Sequence, residues 1–390
     1  MHVLFVPSWY PKNAGDIAGS FFREQAEALS RGGVLAGVLA LTPDPIYAKG
    51  HKPQRPLQVS KENGLGVVRG SITFLLPLQR WLDVQLSKRR LYHAWETYVA
   101  NFGRPDVIHA HSLFPGSYFA DVLSKKYGVP FIYTEHRTLG HLLTRSRLSK
   151  RVAQEIVRAA HSRHAVSKGH AKHLAERFET PDWEYTPNLL PPSSEVEQEL
   201  TWSEGEAASH YTFGHMSMLV AWKRADMLLE AFARVHEKDP NVRLVIGGPN
   251  PEQAGLLDLA ESLGISEVVT FLGLVDRSTV ADFYRSIDCF VLPSATEPMG
   301  VVQVEALAAG VPVISTRTWG GETVIEEGDG LLVDIDDVDG LTEAMFHVKD
   351  EPESTSDRLN RRERSVRRFG SKAFVDRYRT VYGAAVAAGR

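Results

Sequence analysis

Two hydrophobic rhythms alternate along the 390-residue chain. Short runs rich in Val, Ile, Leu and Phe read as strands. The longer stretches between them bring apolar residues back every three or four positions, the spacing of an amphipathic helix. In the first half the strand candidates are HVLFVP (2 to 7), GVLAGVLAL (33 to 41), DVIHAH (106 to 111), PFIYTE (130 to 135) and HAVS (164 to 167). In the second they are YTFGHMSM (211 to 218), VRLVIGG (242 to 248), VVTFLG (268 to 273), CFVLPS (289 to 294), VPVIST (311 to 316) and GLLV (330 to 333). Strand and helix signals that alternate from end to end predict α/β domains built on parallel sheets.

The helical stretches include KRADMLLEAFARVHEK (223 to 238), whose Met227, Leu228, Ala231 and Phe232 form one apolar stripe. FLLPLQRWLDVQLSKRRLYHAW (74 to 95) reads as an amphipathic helix, and SKAFVDRYRTVYGAAVAAG (371 to 389) as a terminal one. Pro, Ser and Glu crowd PNLLPPSSEVEQELTWSEGEAAS (187 to 209), which reads as a linker. The expected organisation is a first domain over 1 to 190, a second over 191 to 370, and a helix over 371 to 390 that packs back on the first. Each domain is a doubly wound, Rossmann-like sheet. The two are expected to face each other across a cleft at the C-terminal ends of their strands, where ligands of such sheets bind.

Length agrees with two domains, and a 43% hydrophobic, 24% charged composition is that of an ordinary globular protein. No run approaches the ~20 apolar residues that span a bilayer, and MHVLFVPSWYPK lacks the features of a secretory signal. The single cysteine, Cys289, rules out an intrachain disulfide, so the chain reads as cytoplasmic. Charge is divided unevenly: residues 1 to 190 hold 25 Lys and Arg against 15 Asp and Glu, and the remainder 19 against 33. The basic half leans toward anionic partners or the inner face of a membrane, with Arg80, Lys88, Arg89 and Arg90 beside the apolar Leu78, Trp81 and Leu82. A buried core helix explains the same spacing.

The chemistry concentrates in TEPMGVVQVEALAAG (296 to 310), a turn and an apolar helix that carries two carboxylates, Glu297 and Glu305. A helix N-terminus at Gly300 offers free N–H groups and partial positive charge, the outline of a phosphate site. Glu305 would then meet a ribose, whose hydroxyls satisfy its charge, and Glu297 the group beyond the phosphate. The competing account has Glu297 capping the helix and Glu305 reaching solvent.

EPMGVVQVEALAAGVPVIST resembles the E-x7-E signature of the GT-B glycosyltransferases of family GT4, in which the first Glu meets the donor sugar and the second the ribose. The likeness continues through WGGETVIEEGDGLLV (319 to 333), VVTFLGLV (268 to 275) and FVPSWYPKNAGDIAGSFFREQAEAL (5 to 29). It implies a GT-B fold and donor contacts at Gly19, Gly273, Met299, Gly300, Val301 and Glu305. The resemblance also implies that His111, second histidine of the H-x-H in DVIHAHS (106 to 112), lines the donor sugar, with His136 of YTEHRT (133 to 138) as a weaker candidate. Lys223, in LVAWKRAD, would neutralise the diphosphate. Relatives carry an arginine five residues before that lysine, where this chain has Met218, so either Arg224 or backbone N–H groups take its place.

Two signals are set aside. The D-x-D within VDIDDVDG (333 to 340) precedes a helix and reads as N-capping rather than a metal site. The basic runs TRSRLSKR (144 to 151) and SKRR (87 to 90) read as solvated helix faces, and no nucleic-acid partner is indicated. The implied activity moves a sugar from a nucleoside diphosphate sugar, UDP- or GDP-linked, to a sugar, lipid-linked or small-molecule acceptor, with retention and without a metal or other cofactor. Rivals are a 2-epimerase-type isomerase on the same fold, a natural-product glycosyltransferase with a soluble acceptor, and a binding module without turnover. A dinucleotide oxidoreductase is disfavoured because no G-x-G-x-x-G follows the first strand.

Overall fold

The computed structural model describes residues 1–13, 16, 18–48, 56–76, 80–139, 146–195, 210–249, 253–277, 279–351 and 353–389. The chain divides into two compact units, one formed by Met1–Leu189 with Lys372–Arg390, the other by Leu190–Ser371. Of the linker stretch, residues 196 to 209 lie outside the described residues.

The first unit contains β1 (His2–Pro7), β2 (Leu35–Pro45), β3 (Gln58–Glu62), β4 (Leu65–Phe74), β5 (Val107–His111), β6 (Phe131–Glu135), β7 (Arg163–Ala165) and β8 (Trp183–Tyr185). Among the described residues these form one sheet in the order β3-β4-β2-β1-β5-β6-β7-β8, parallel except for the β3–β4 hairpin. Successive residues of β1 serve opposite faces: Leu4 and Val6 join one apolar cluster, Val3 and Phe5 another. A parallel sheet must be covered on both sides, and the helix Ser371–Ala388 supplies part of one cover. Its Phe374, Tyr378 and Tyr382 pack with Val3, Phe5 and Val38, and Tyr382 Oη lies 2.8 Å from His109 Nδ1.

The second unit contains β9 (Tyr211–Met216), β10 (Val242–Gly247), β11 (Val269–Gly273), β12 (Cys289–Leu292), β13 (Val313–Thr316) and β14 (Gly330–Val333). All pair in parallel, in the order β11-β10-β9-β12-β13-β14. In each sheet the strand order turns from descending to ascending, between β1 and β5 in the first and between β9 and β12 in the second. Such reversals open a crevice at the strands' C-terminal ends, the usual ligand position in doubly wound sheets. The architecture is two doubly wound α/β units.

One expectation fails. Residues 74 to 95 are not a single helix: β4 runs to Phe74, and two helices follow, Arg80–Leu86 and Lys88–Phe102. The cause is local. Asp83 Oδ1 accepts from the backbone N–H groups of Leu75 and Leu76, and Ser87 Oγ donates to the Thr73 carbonyl, so the chain folds back on the strand end. Trp81 packs against the core, Leu78 lies outside the described residues, and so does the side chain of Arg80. No helix among the described residues is long and apolar enough to cross a membrane.

Candidate active site

At the reversal of the second sheet, the segments leaving β9 and β12 meet. After β9 the chain enters a single 3-10 turn, Ala221–Lys223, and the Trp222 carbonyl accepts from the Ala295 N–H at 2.9 Å. That bond ties the turn to the segment after β12. Lys223 Nζ then forms an ion pair with Glu297 Oε2, the side chains 18% and 8% exposed. A pair this buried keeps both charges only because each satisfies the other.

Beyond Glu297 the helix Val301–Ala308 begins. Gly300, its N-cap, has φ +74, and a Cβ there would lie 3.0 Å from Glu297 Cγ and 2.9 Å from Gln303 Nε2. Glycine is therefore required both by conformation and by space. Gly300 brings no side chain to cap this helix, and the first N–H groups of a helix carry a partial positive charge that suits an anion. Met299 is buried, with its carbonyl accepting from Gln303 Nε2 at 2.5 Å, and Val301 is the first helical residue. At the far end Arg362 Nη1 donates to the Ala308 carbonyl at 2.5 Å and Arg361 Nη1 to that of Gly310 at 2.7 Å. Cations at a C-terminus hold the helix in place and complement its dipole.

Glu305, 2% exposed, does not reach solvent. Arg277 Nη1 donates to its Oε1 at 2.8 Å, and Tyr284 Oη lies 3.1 Å from its Oε2 while also contacting the Val302 carbonyl at 2.8 Å. Burial, with the Glu305 charge adding to it, pushes the Tyr284 hydroxyl well above its ordinary range, so it stays a donor. The Arg277 side chain is 39% exposed, a cation at the surface holding a carboxylate beneath it. The sequence did not reveal this pair. Gly273, four residues before Arg277, has φ +68, and its carbonyl accepts from Gly248 N–H at 2.7 Å.

Arg224 is engaged elsewhere: its Nε donates to Asp226 at 3.1 and 3.2 Å, and it pairs with Asp336. Asp336 belongs to the D-x-D run. The neighbouring Asp334 pairs with Arg317 at 3.2 Å, and Asp337 caps the helix Val338–Asp350 by accepting from Gly340 N–H at 2.8 Å. Among the described residues no group of three or more His, Cys, Asp or Glu could hold a metal ion.

The first sheet's reversal carries the remaining candidates. His111 ends β5, fully buried between Phe5 and Phe22, whose ring centroids lie 4.6 and 4.8 Å away. Gly19, φ +81, caps the helix Ser20–Arg31, and a Cβ there would meet the Trp9 carbonyl oxygen at 3.0 Å. His136 Nε2 is 3.0 Å from His111 Nδ1. Burial pushes His136 down to about 3 and His111 well below its ordinary value, so both rings are neutral.

Residues 196 to 366 match the family model of glycosyl transferases group 1, and residues 18 to 191 that of glycosyltransferase family 4. The D-inositol 3-phosphate glycosyltransferase of Nocardiopsis dassonvillei is 29% identical over 254 residues, 58% of each chain. The N-acetyl-alpha-D-glucosaminyl L-malate synthase of Bacillus anthracis is 34% identical over 170 residues, 43% of this chain and 44% of that protein. The chain thus spans about half the length of the relatives it matches. HepE of Anabaena, solved in complex with UDP and glucose, has the same fold, with a TM-score of 0.71 at 20% identity over 98% of this chain and 100% of that one. Two family models that account for nearly all of the sequence, and a fold shared end to end, agree that the chain belongs to the GT-B glycosyltransferases of family 4.

Proposed function

We propose that the protein transfers a sugar from a nucleoside diphosphate sugar to an acceptor hydroxyl, retaining the donor's anomeric configuration. The observation that carries this reading is the cluster on the second sheet's reversal: the Lys223–Glu297 pair beside an uncapped helix N-terminus, with buried Glu305 further along that helix. The diphosphate sits at the N–H groups that open at Gly300. Glu305 accepts from the ribose hydroxyls, and Lys223 stabilises charge on the departing diphosphate. HepE was solved with UDP and with UDP-glucose, which supports a uridine donor; GDP is the other candidate.

Glu297 is bound to Lys223 and suits hydrogen bonding to sugar hydroxyls better than nucleophilic attack. In the proposed step the acceptor oxygen therefore approaches from the side the diphosphate leaves. A bond forms between that oxygen and the anomeric carbon as the bond from carbon to phosphate oxygen breaks, and the hydroxyl proton passes to a phosphate oxygen. His111, in the first unit, accepts from a sugar hydroxyl. Met299 and Val301 shape the phosphate turn, Gly19 leaves room for the ligand, and the Gly273 main chain contacts the base. Arg224, held by Asp226 and Asp336, supports this site by fixing the Lys223 turn.

The basic first half supports an acceptor with negative charge. Two relatives are named for such molecules, an inositol phosphate and L-malate. Leu75 and Leu86 are 47% and 55% exposed, and Leu86 directly precedes the Ser87-Lys88-Arg89 run, which supports a lipid-linked acceptor met at the inner face of a membrane. Co-sedimentation that is equal for anionic and neutral vesicles removes that part of the reading.

The reaction is tested with a donor and an acceptor panel by proton NMR of the product. An α-linked donor is expected to yield an α-linked product, and a β-linked product overturns the mechanism. Activity is expected to survive EDTA; complete loss restored by magnesium or manganese contradicts the metal-free form. Conversion of donor alone into an epimer, with no acceptor present, identifies the isomerase instead.

A further inference from the structure

A chain of hydrogen bonds in the first unit ends at one buried nitrogen that has no hydrogen-bond partner among the described residues. Gln25 Nε2 donates to Asn188 Oδ1 at 3.2 Å, and His136 Nδ1 lies 2.9 Å from the same oxygen. His136 Nε2 is 3.0 Å from His111 Nδ1, and His111 Nε2 is buried without a hydrogen-bond partner. The direction of this chain follows from donor and acceptor chemistry. An amide oxygen only accepts, so His136 Nδ1 carries the proton. A neutral imidazole has one N–H, which leaves His136 Nε2 a lone pair and obliges His111 Nδ1 to donate to it. His111 has no proton left for Nε2.

We propose that Gln25, Asn188 and His136 are positioning residues that lock His111 in its Nδ1–H tautomer and leave Nε2 a bare hydrogen-bond acceptor for a sugar hydroxyl. The sugar's part in this rests on the transferase reading; the tautomer does not. Among the described residues no other neighbouring ring competes for either nitrogen. His109, 3.8 Å from His111 between ring centroids, has both nitrogens taken up, Nδ1 by Tyr382 Oη and Nε2 by Thr134 Oγ1, each at 2.8 Å. Phe5 and Phe22 contribute only ring surface. Burial that depresses both imidazoles keeps the lock neutral through the ordinary pH range. The consequence is a preference in the ligand: a bare acceptor takes a hydroxyl and gains nothing from a methoxy or deoxy position, which would leave the nitrogen buried and unpaired.

The test uses the full chain labelled with 15N-histidine and long-range 15N–1H correlation without substrate. His111 is expected to show a protonated Nδ1 and an unprotonated Nε2. His136→Gln keeps a group that can donate to Asn188 and accept from His111, and the tautomer should persist. His136→Leu should release it into a mixture and lower kcat/KM for transfer by roughly 2- to 10-fold relative to His136→Gln, the effect of one neutral hydrogen bond. A wild-type His111 protonated at Nε2 overturns the proposal, whether or not the variants fold. So do equal tautomer populations in the two variants. An intact tautomer in a protein that turns over no donor overturns the transferase reading and leaves the lock standing.

Discussion

The reversal of the first sheet and that of the second bury polar groups equally well but hold them in opposite states of charge. In the first, buried His109 and His111 and half-buried His136 are kept neutral, linked ring to ring and to hydroxyls and an amide. Even buried Glu135, pushed up by desolvation, is surrounded by neutral donors: the backbone N–H groups of Leu113, His136 and Arg137 and the hydroxyl of Tyr133. In the second, charge is retained in pairs, Lys223 with Glu297 and Arg277 with Glu305. Neutral networks fix the orientation of hydrogen bonds, whereas paired charges keep a field ready for a charged ligand. The difference separates a neutral, oriented hydrogen-bond network from one built on paired charges.

Acid should break the comparison most visibly. Burial lowers seven histidines of the first unit, five of them strongly, with His136 at about 3, His164 and His170 at about 4, and His109 and His111 well below normal; in the second unit His215, at about 4, is lowered strongly. The unfolded chain takes up these protons near pH 6.5 and the folded chain only well below it, near 3 for His136 and near 4 for His164 and His170. Their contribution is therefore full above pH 6.5 and is lost as pH falls below it, at up to ~1.4 kcal/mol per pH unit for each group. Glu135, with its raised value, has the opposite sign but is one group against five. Between pH 6 and 4.5 the first unit should open before the second, as read by hydrogen exchange in peptides of each. Earlier opening of the second unit would contradict the account.

Removing one member of a charged pair comes next. Lys223→Ala is expected to lower kcat by roughly 100- to 1,000-fold, the scale of losing one donor to developing charge, with a smaller change in donor KM. A rise in KM with kcat unchanged would show that the lysine binds ground and transition states alike.

The smallest effect falls on the exposed partner of the other pair. Arg277→Ala leaves Glu305 buried without its cation, and with ~1 to 2 kcal/mol at stake Tm should fall by roughly 2 to 8 °C. An unchanged Tm by calorimetry would show that Arg277 is not what holds Glu305.

The parallel strands were legible because each is a short apolar run with sharp ends, and eleven of them are found close to where the pattern puts them. β3 escaped because QVSKE is a half-exposed edge strand with little apolar content, and β8 because three residues make no pattern. β4 was hidden by its own continuation: the apolar residues after Phe74 extend the signal, and the turn depends on Asp83 and Ser87 reaching back to the backbone. At the site, Glu297, Gly300 and Glu305 could be read together because one turn and one helix carry them. Their partners could not. Arg277 and Tyr284 come from 28 and 21 residues before Glu305, and Asn188 from 163 residues after Gln25, so only the folded sheet order brings them together.

Isothermal titration of UDP and GDP into the wild-type chain and into Glu305→Ala tests the central claim, that the second unit's paired carboxylate is a ribose site. The wild type should bind one of the two nucleotides. Loss of hydrogen bonds to a charged group, ~1.5 to 3 kcal/mol, should weaken that binding roughly 10- to 150-fold in the variant without changing the apo fold. Equal affinity in the two proteins, with both folded by circular dichroism, would mean that Glu305 serves groups of the protein itself and not a ribose.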